Sequence, residues 1–161
     1  MTKLVILPHK LLRQKSKPVK KIDSEIKGLA NEMIQYIQLH HTERVRPLSL
    51  SACQLGQLVR VIAFRRNPIS LDEDDIQVVI NPEIVYQKSF YLVPEICLSI
   101  PGREFTVQRG KIVKITGLTL NNEIRSFRGH GTLAQVFQHE IDHLNGSLID
   151  ELGKERISPK E

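Results

Sequence analysis

Two histidines four residues apart, with a glutamate beside the first, form the stretch of this chain best equipped for chemistry: Gln138-His139-Glu140-Ile141-Asp142-His143. An α-helix turns once in about 3.6 residues, so His139 and His143 fall on one face and can hold a single metal ion between them. Glu140 lies next to that face, within reach of a water on the metal without being a ligand. A divalent metal lowers the pKa of such water toward about 7, and a neighbouring carboxylate can then take the proton. A surface helix that merely carries two histidines and some acid would spell the same six letters. The third ligand decides between the two readings.

Downstream, the usual third ligands fail. A histidine at the end of HExxHxxGxxH is missing, because Gly146 is in place but the last position is Ile149. A glutamate from a later helix would have to come from residues 144–161. There Glu151, Glu155 and Glu161 lie in a short charged tail with no room for such a helix. Upstream, Cys97 is the best candidate, since thiolate and imidazole suit the same soft and borderline metals. It sits in Pro94-Glu95-Ile96-Cys97-Leu98-Ser99, an apolar run that reads as a strand end or turn. Two histidines and one cysteine leave one coordination position open for water, the arrangement of a catalytic site.

With those residues in view, the chain resembles the peptide deformylases. Glu95-Ile96-Cys97-Leu98-Ser99 and His139-Glu140-Ile141-Asp142-His143 look like the second and third motifs of that family. Its first motif, G-x-G-L-[AS]-A-x-Q, is echoed by Pro47-Leu48-Ser49-Leu50-Ser51-Ala52-Cys53-Gln54. Order and spacing agree, and the likeness runs from about Leu4 to Leu152. The resemblance implies an α+β fold of mostly antiparallel strands around the HExxH helix. It also implies removal of the formyl group from the N-formylmethionine end of new polypeptides, with release of formate. In that mechanism metal-activated water attacks the formyl carbon. Glu140 takes the water's proton and later gives it to the departing amine. Gln54 and the backbone N–H of Leu98 match the donors to the developing oxyanion. On spacing alone Gln54 reads equally well as a helix-start glutamine bonded to backbone. The implied metal is Fe²⁺, with Zn²⁺, Ni²⁺ or Co²⁺ able to take its place at Cys97, His139 and His143.

The departures from the family pattern concentrate where substrate backbone should pass. Pro47 and Ser49 stand in place of both glycines of the first motif, and Ile96 replaces the glycine before Cys97. Glycine at such places permits positive φ or the close approach of another backbone. Proline also removes an N–H that an added strand could use, and isoleucine narrows the groove. Leu48, Ser49, Ile96 and Val136 are the expected substrate-lining residues, with Leu133 a possible addition, and Thr132 and Gln135 make the pocket for the first side chain more polar. Asp142, Arg109 and Glu95 flank the site, either as a network that orients a histidine or as ordinary surface ion pairs. Two other functions stay open: a catalytically impaired relative that binds metal and formylated peptides, and a hydrolase of another small amide.

The rest of the chain must position these groups. Its 161 residues, 40% of them hydrophobic, suit one domain with a single core, over residues 1–161 with a charged tail from about 152. The net charge of +5 reads as a solvated surface, not a specific nucleic-acid patch; no aromatic residue is interleaved with the N-terminal lysines. A basic face could still favour the ribosome surface. No run approaches the ~20 apolar residues of a membrane span. Leu4 to Leu7 is too short for a signal peptide, and two cysteines argue for a reducing compartment. The expected location is the cytoplasm, or an organelle matrix (mitochondrial or plastid) if a transit peptide was removed. Cys53 is left as a small buried filler.

Asp23 or Ser24 caps a helix with the stripe Ile26, Leu29, Met33 and Ile37, ending near His40-His41. Leu58–Phe64, Gln77–Ile80 and Glu83–Tyr86 read as strands, the last two around a turn at Asn81-Pro82, and Pro68–Asp75 as an acidic loop. Phe90–Ser99 extends toward the metal and Pro101-Gly102 turns the chain. Lys111–Leu120 alternates up to a hairpin at Asn121-Asn122. Arg128-Gly129-His130-Gly131 reads as a flexible approach to the ligand helix, with Thr132 as its N-cap. Leu133, Val136, Phe137, Ile141 and Leu144 form that helix's buried stripe.

Overall fold

A computed structural model describes residues 3–40, 46–69, 72 and 75–156. Its six strands form one antiparallel sheet in the order β1 (Ser49–Ser51), β2 (Val61–Arg65), β3 (Ile76–Cys97), β4 (Ile100–Leu118) and β5 (Ile124–His130), with β6 (Lys154–Glu155) pairing β4. Among the described residues three α-helices, α1 (Ser24–Leu39), α2 (Thr132–Leu144) and the one-turn α3 (Ile149–Leu152), complete the α+β architecture.

Alternation along β2 explains how the two long helices are held. Ile62 and Phe64 face α2, where they pack with Val136, Phe137, Ile141 and Leu144. Val61 and Ala63 face α1, against Leu29, Met33 and Ile37. Successive strand side chains point to opposite sides, so a strand buried on both faces carries two apolar sets. β1 follows the same rule. Leu50 enters the α1 cluster, which turns Ser49 and Ser51 toward α2. The expected cap at Asp23 is present, accepting from the N–H groups of Glu25 and Ile26 at 3.1 Å each. α1 ends at Leu39, with His40 stacked on Tyr36; His41 and half of Pro68–Asp75 lie outside the described residues.

Several expectations are corrected. Leu58–Arg60 are not part of β2, because they bond the N-terminal arm: Lys17 donates to Leu58 O and its carbonyl accepts from Arg60, each at 2.9 Å. Asn81-Pro82 is no turn. β3 runs straight through it with a shift of register between Ile80 and Glu83. Asn81 takes φ 50° there, and its amide is bonded to both backbone groups of Val19 at 2.8 and 2.9 Å. Such a bulge leaves Pro82 outside the ladder, where its missing N–H costs nothing. The turn before β4 is Leu98-Ser99, enclosed by the pair Cys97–Ile100, while Pro101-Gly102 lies within β4.

Arg128-Gly129-His130 is not a flexible approach but the end of β5, and the N-cap of α2 is Gly131, with Thr132 already helical. A Cβ on Gly129 would come within 2.8 Å of Ala134 N, so this glycine lets the helix start lie directly on the strand. Leu133 stays half-buried at the margin of the core. The segment after His143 also folds back instead of trailing as a tail. Gly146 at φ 76° ends α2, Leu148 and Ile149 are buried, and β6 joins the sheet edge.

Candidate active site

His139, Glu140 and His143 lie on α2, and the ladder of β3 delivers Cys97 from 42 residues upstream to the same point. The ligand atoms of Cys97, His139 and His143 all lie within 4.8 Å of one another. Cys97 Sγ and His143 Nε2 are 3.2 Å apart. The three donors are a thiol and two imidazoles, all but His139 buried. His143 Nδ1 is buried without a hydrogen-bond partner among the described residues. Burial drives the His143 pKa well below its usual value, with the neighbouring His139 acting the same way. Its imidazole is therefore neutral, the form that ligates metal. Burial acts to lower His139 as well, but Cys97 and Glu95 outweigh it and raise that group. A thiol and two imidazoles converging on one point suit a divalent cation.

Cys53 does not compete as a ligand. Burial pushes its thiol up to about 12, and it packs under His143 with Sγ 3.6 Å from the carbonyl.

A network fixes the first histidine. Glu95 accepts from His139 Nδ1 at 2.7 Å, which leaves Nε2 as the ring nitrogen available to a metal. Arg109 binds the same carboxylate through Nε and Nη2 at 2.7 and 2.8 Å and reaches Asp142 with Nη1. Glu95 and Arg109 are 5% and 4% exposed, so these residues form an orienting network and not a surface ion pair. Burial works to raise the Glu95 carboxyl, yet Arg109 and His139 outweigh it and hold it at about 2.

Glu140 is 2% exposed. Burial raises its pKa, against the opposing pull of His139, Ser49 and Ser51. Ser49 Oγ donates to Oε1 at 2.6 Å, and Ser51 Oγ donates to Oε2. Gln54 sits in the 3₁₀ turn Ala52–Leu55 that follows β1. Its Oε1 accepts the N–H of Ser51 at 2.9 Å, and its Nε2 donates to Ser99 Oγ at 3.1 Å. The backbone donor fixes which end of the amide is oxygen, and an amide nitrogen carries two protons, so one remains for the cavity.

That cavity has a volume of about 580 Å³ and is lined by Leu48, Ser49, Gln54, Ile96, Leu98 and Val136, among others. Cys97, His139 and Glu140 border the same space, whereas His143, Leu133, Arg109 and Asp142 do not line it. Thr132 and Gln135 line it too, with Gln135 bonded to the Pro94 carbonyl at 3.1 Å. None of Pro47, Ser49 and Ile96 has positive φ. Ser49 and Ile96 are ordinary strand positions, so the glycine replacements cost no backbone strain. Ile96 is 63% exposed and stands at the cavity's edge. Ser51, Ser99 and Gln138 were not legible as site residues. Gln138 ties α2 to Gly110 through N–H and C=O at 2.8 and 2.9 Å. Its place one residue before the histidine pair is the only signal in the sequence.

A model of the polypeptide deformylase family matches residues 1–157. This chain belongs to the peptide deformylase family. The peptide deformylase of Dictyoglomus thermophilum is 36% identical over 154 residues, covering 94% of this chain and 92% of that protein. Among solved structures, a peptide deformylase from Legionella pneumophila superposes with a TM-score of 0.84 at 31% identity, over 99% of this chain and 87% of that one. The Synechococcus elongatus deformylase, solved in complex with actinonin, gives 0.81 at 31% identity, over 96% and 80%. The fold of the deformylases and their metallo-hydrolase class are thus those of this chain.

Proposed function

We propose that this protein removes the formyl group from the N-formylmethionine end of newly made polypeptides, leaving formate and a free amino terminus. The observation that carries the reading is Glu140, a buried carboxylate that lines the cavity together with Cys97 and His139 of the ligand cluster. Cys97, His139 and His143 would hold one divalent ion, which when bound supplies a Lewis acid that acidifies water and polarises a carbonyl.

The chain's own groups do the rest. Glu140 accepts a proton from the water that attacks the formyl carbon and returns it to the departing nitrogen, for which burial has raised its basicity in the useful direction. The free N–H of Gln54 and the backbone N–H of Leu98 serve the oxygen on which charge develops. Donors already in place act there without reorganisation. Leu48 and Val136 offer apolar wall to the methionine side chain, Ser49 and Ile96 flank the peptide, and Gln135 and Thr132 give the pocket a polar end. His139 is held in one orientation by Glu95, and Glu95 by Arg109.

Fe²⁺ is the resident metal in this reading, with Zn²⁺, Ni²⁺ or Co²⁺ able to substitute. The chain works as one domain in the cytoplasm, meeting nascent chains where they leave the ribosome. No helix among the described residues is long and apolar enough to cross a membrane. The test is formate release from formyl-Met-Ala-Ser by protein purified without oxygen and reloaded with Fe²⁺ or Ni²⁺. Turnover with both metals, lost in air only for iron, is the expected result. One metal ion bound per chain with no formate released would refute the proposed reaction. Co-sedimentation with ribosomes at low salt tests the location of the work, and its absence would remove the ribosome from the account.

A further inference from the structure

We propose that Ser49 is a positioning residue for Glu140, holding its carboxylate in the orientation that takes up the proton. The proposal rests on the deformylase reading and adds a role for the side chain that replaces the family's second glycine. β1 presents Ser49 and Ser51 on one face because strand side chains alternate, and Leu50 between them is fixed by its burial against α1. α2 brings Glu140 across that face. Each carboxylate oxygen then receives one hydroxyl proton: Oε1 from Ser49 at 2.6 Å and Oε2 from Ser51. Two donors on two oxygens fix the carboxylate plane, since rotation about the last side-chain bond breaks both contacts.

The two hydroxyls are not equivalent. Ser51 is fully buried, while Ser49 is half-buried and lines the cavity. Ser51 is thus the inner anchor and Ser49 the outer one, on the side of the cavity. An ionised carboxylate oxygen has two lone-pair sites. With one taken by Ser49, the other is left to accept a proton, and its direction is set by the hydroxyl. Glycine at this place could widen the groove but could not do this.

The experiment compares wild type with Ser49→Ala, Ser49→Gly and Ser49→Thr, each carrying its metal, by steady-state formate release and thermal melting. Hydrogen bonds to charged groups are among the stronger ones, so Ser49→Ala and Ser49→Gly should each lose about tenfold or more in kcat. KM, metal content and melting temperature should stay near wild type. Ser49→Thr, which keeps the hydroxyl, should recover most of kcat. A difference infrared spectrum against Glu140→Gln isolates the carboxylate band, which should shift in Ser49→Ala and return in Ser49→Thr. A wild-type kcat in both Ser49→Ala and Ser49→Gly, or a loss confined to KM, overturns the proposal and leaves Ser49 as groove lining. Absence of turnover in wild type itself would instead sink the proposed reaction. In that case an unmoved infrared band in Ser49→Ala would also sink the contact.

Discussion

At the floor of the cavity, Arg109 meets Glu95 at 2.7 Å; at its rim, Arg103 meets Glu155 at the same 2.7 Å and Arg156 meets Glu104 at 2.6 Å. The distances are alike and the surroundings are not. The floor pair is 5% and 4% exposed by side chain, whereas the rim pairs stand 42–53% in water. Charges in water gain little from pairing and lose even that to salt. Charges under the surface have no water to fall back on, so each must be matched, and removing one partner strands the other. The floor can therefore hold geometry while the rim can vary; of the replacements of the family's glycines, Pro47 and Ile96 line the cavity's wall and edge, and Ser49 alone reaches a buried charge, Glu140.

The largest test of that contrast is Glu95→Ala. It leaves the Arg109 guanidinium buried with Asp142 alone and frees the His139 ring. Loss of about 3–5 kcal/mol in unfolding free energy is expected from urea titration, with metal affinity falling about 10- to 100-fold. A loss no larger than a surface pair gives would erase the difference between floor and rim. Next is Gln54→Ala, which should cost about 10²–10³ in kcat, the usual effect of removing one oxyanion donor. Its unfolding midpoint should fall far less than that of Glu95→Ala. A kcat within twofold of wild type would take Gln54 out of the chemistry.

Acid gives a subtler separation. Glu95 is held at about 2 by Arg109 and His139, below the ordinary glutamate value of about 4.3. A carboxyl depressed on folding contributes stability that is present above its unfolded value and lost as pH falls through its folded value. Stability measured by urea between pH 5 and pH 2.5 should thus decline steadily in wild type and more shallowly in Glu95→Ala. Equal slopes would contradict the assignment. The smallest effect is expected at the rim, where Arg103→Ala should leave both the unfolding midpoint and kcat within experimental scatter. A clear fall in kcat there would give the rim a role in binding substrate.

How much of this could be read from residue order follows from the range of the forces involved. The caps and stripe of α1, the apolar face of α2 and the convergence of Cys97 with His139 and His143 were legible, because period and ligand chemistry are written locally. Asn81-Pro82 misled because its turn signal is satisfied at long range: the Asn81 amide bonds Val19, 62 residues away, and the strand carries on as a bulge. Gly129 suggested looseness, while its actual service is close contact with the start of α2. Ser51 gave no sign, since its partner Glu140 lies 89 residues downstream and only the register of β1 against α2 joins them. Glu95 and Arg109 stood open between network and surface pair until burial decided it.

The account turns on Glu140 acting as base and acid in a site that binds metal without it. The most direct measurement is formate release from formyl-Met-Ala-Ser by wild type and Glu140→Ala side by side, with bound metal counted in both. One metal ion per chain in each protein, turnover in wild type, and a loss of at least about 10²-fold in the variant is the predicted result. Undiminished turnover in the metal-loaded variant would show that another group moves the proton and that the mechanism is wrong.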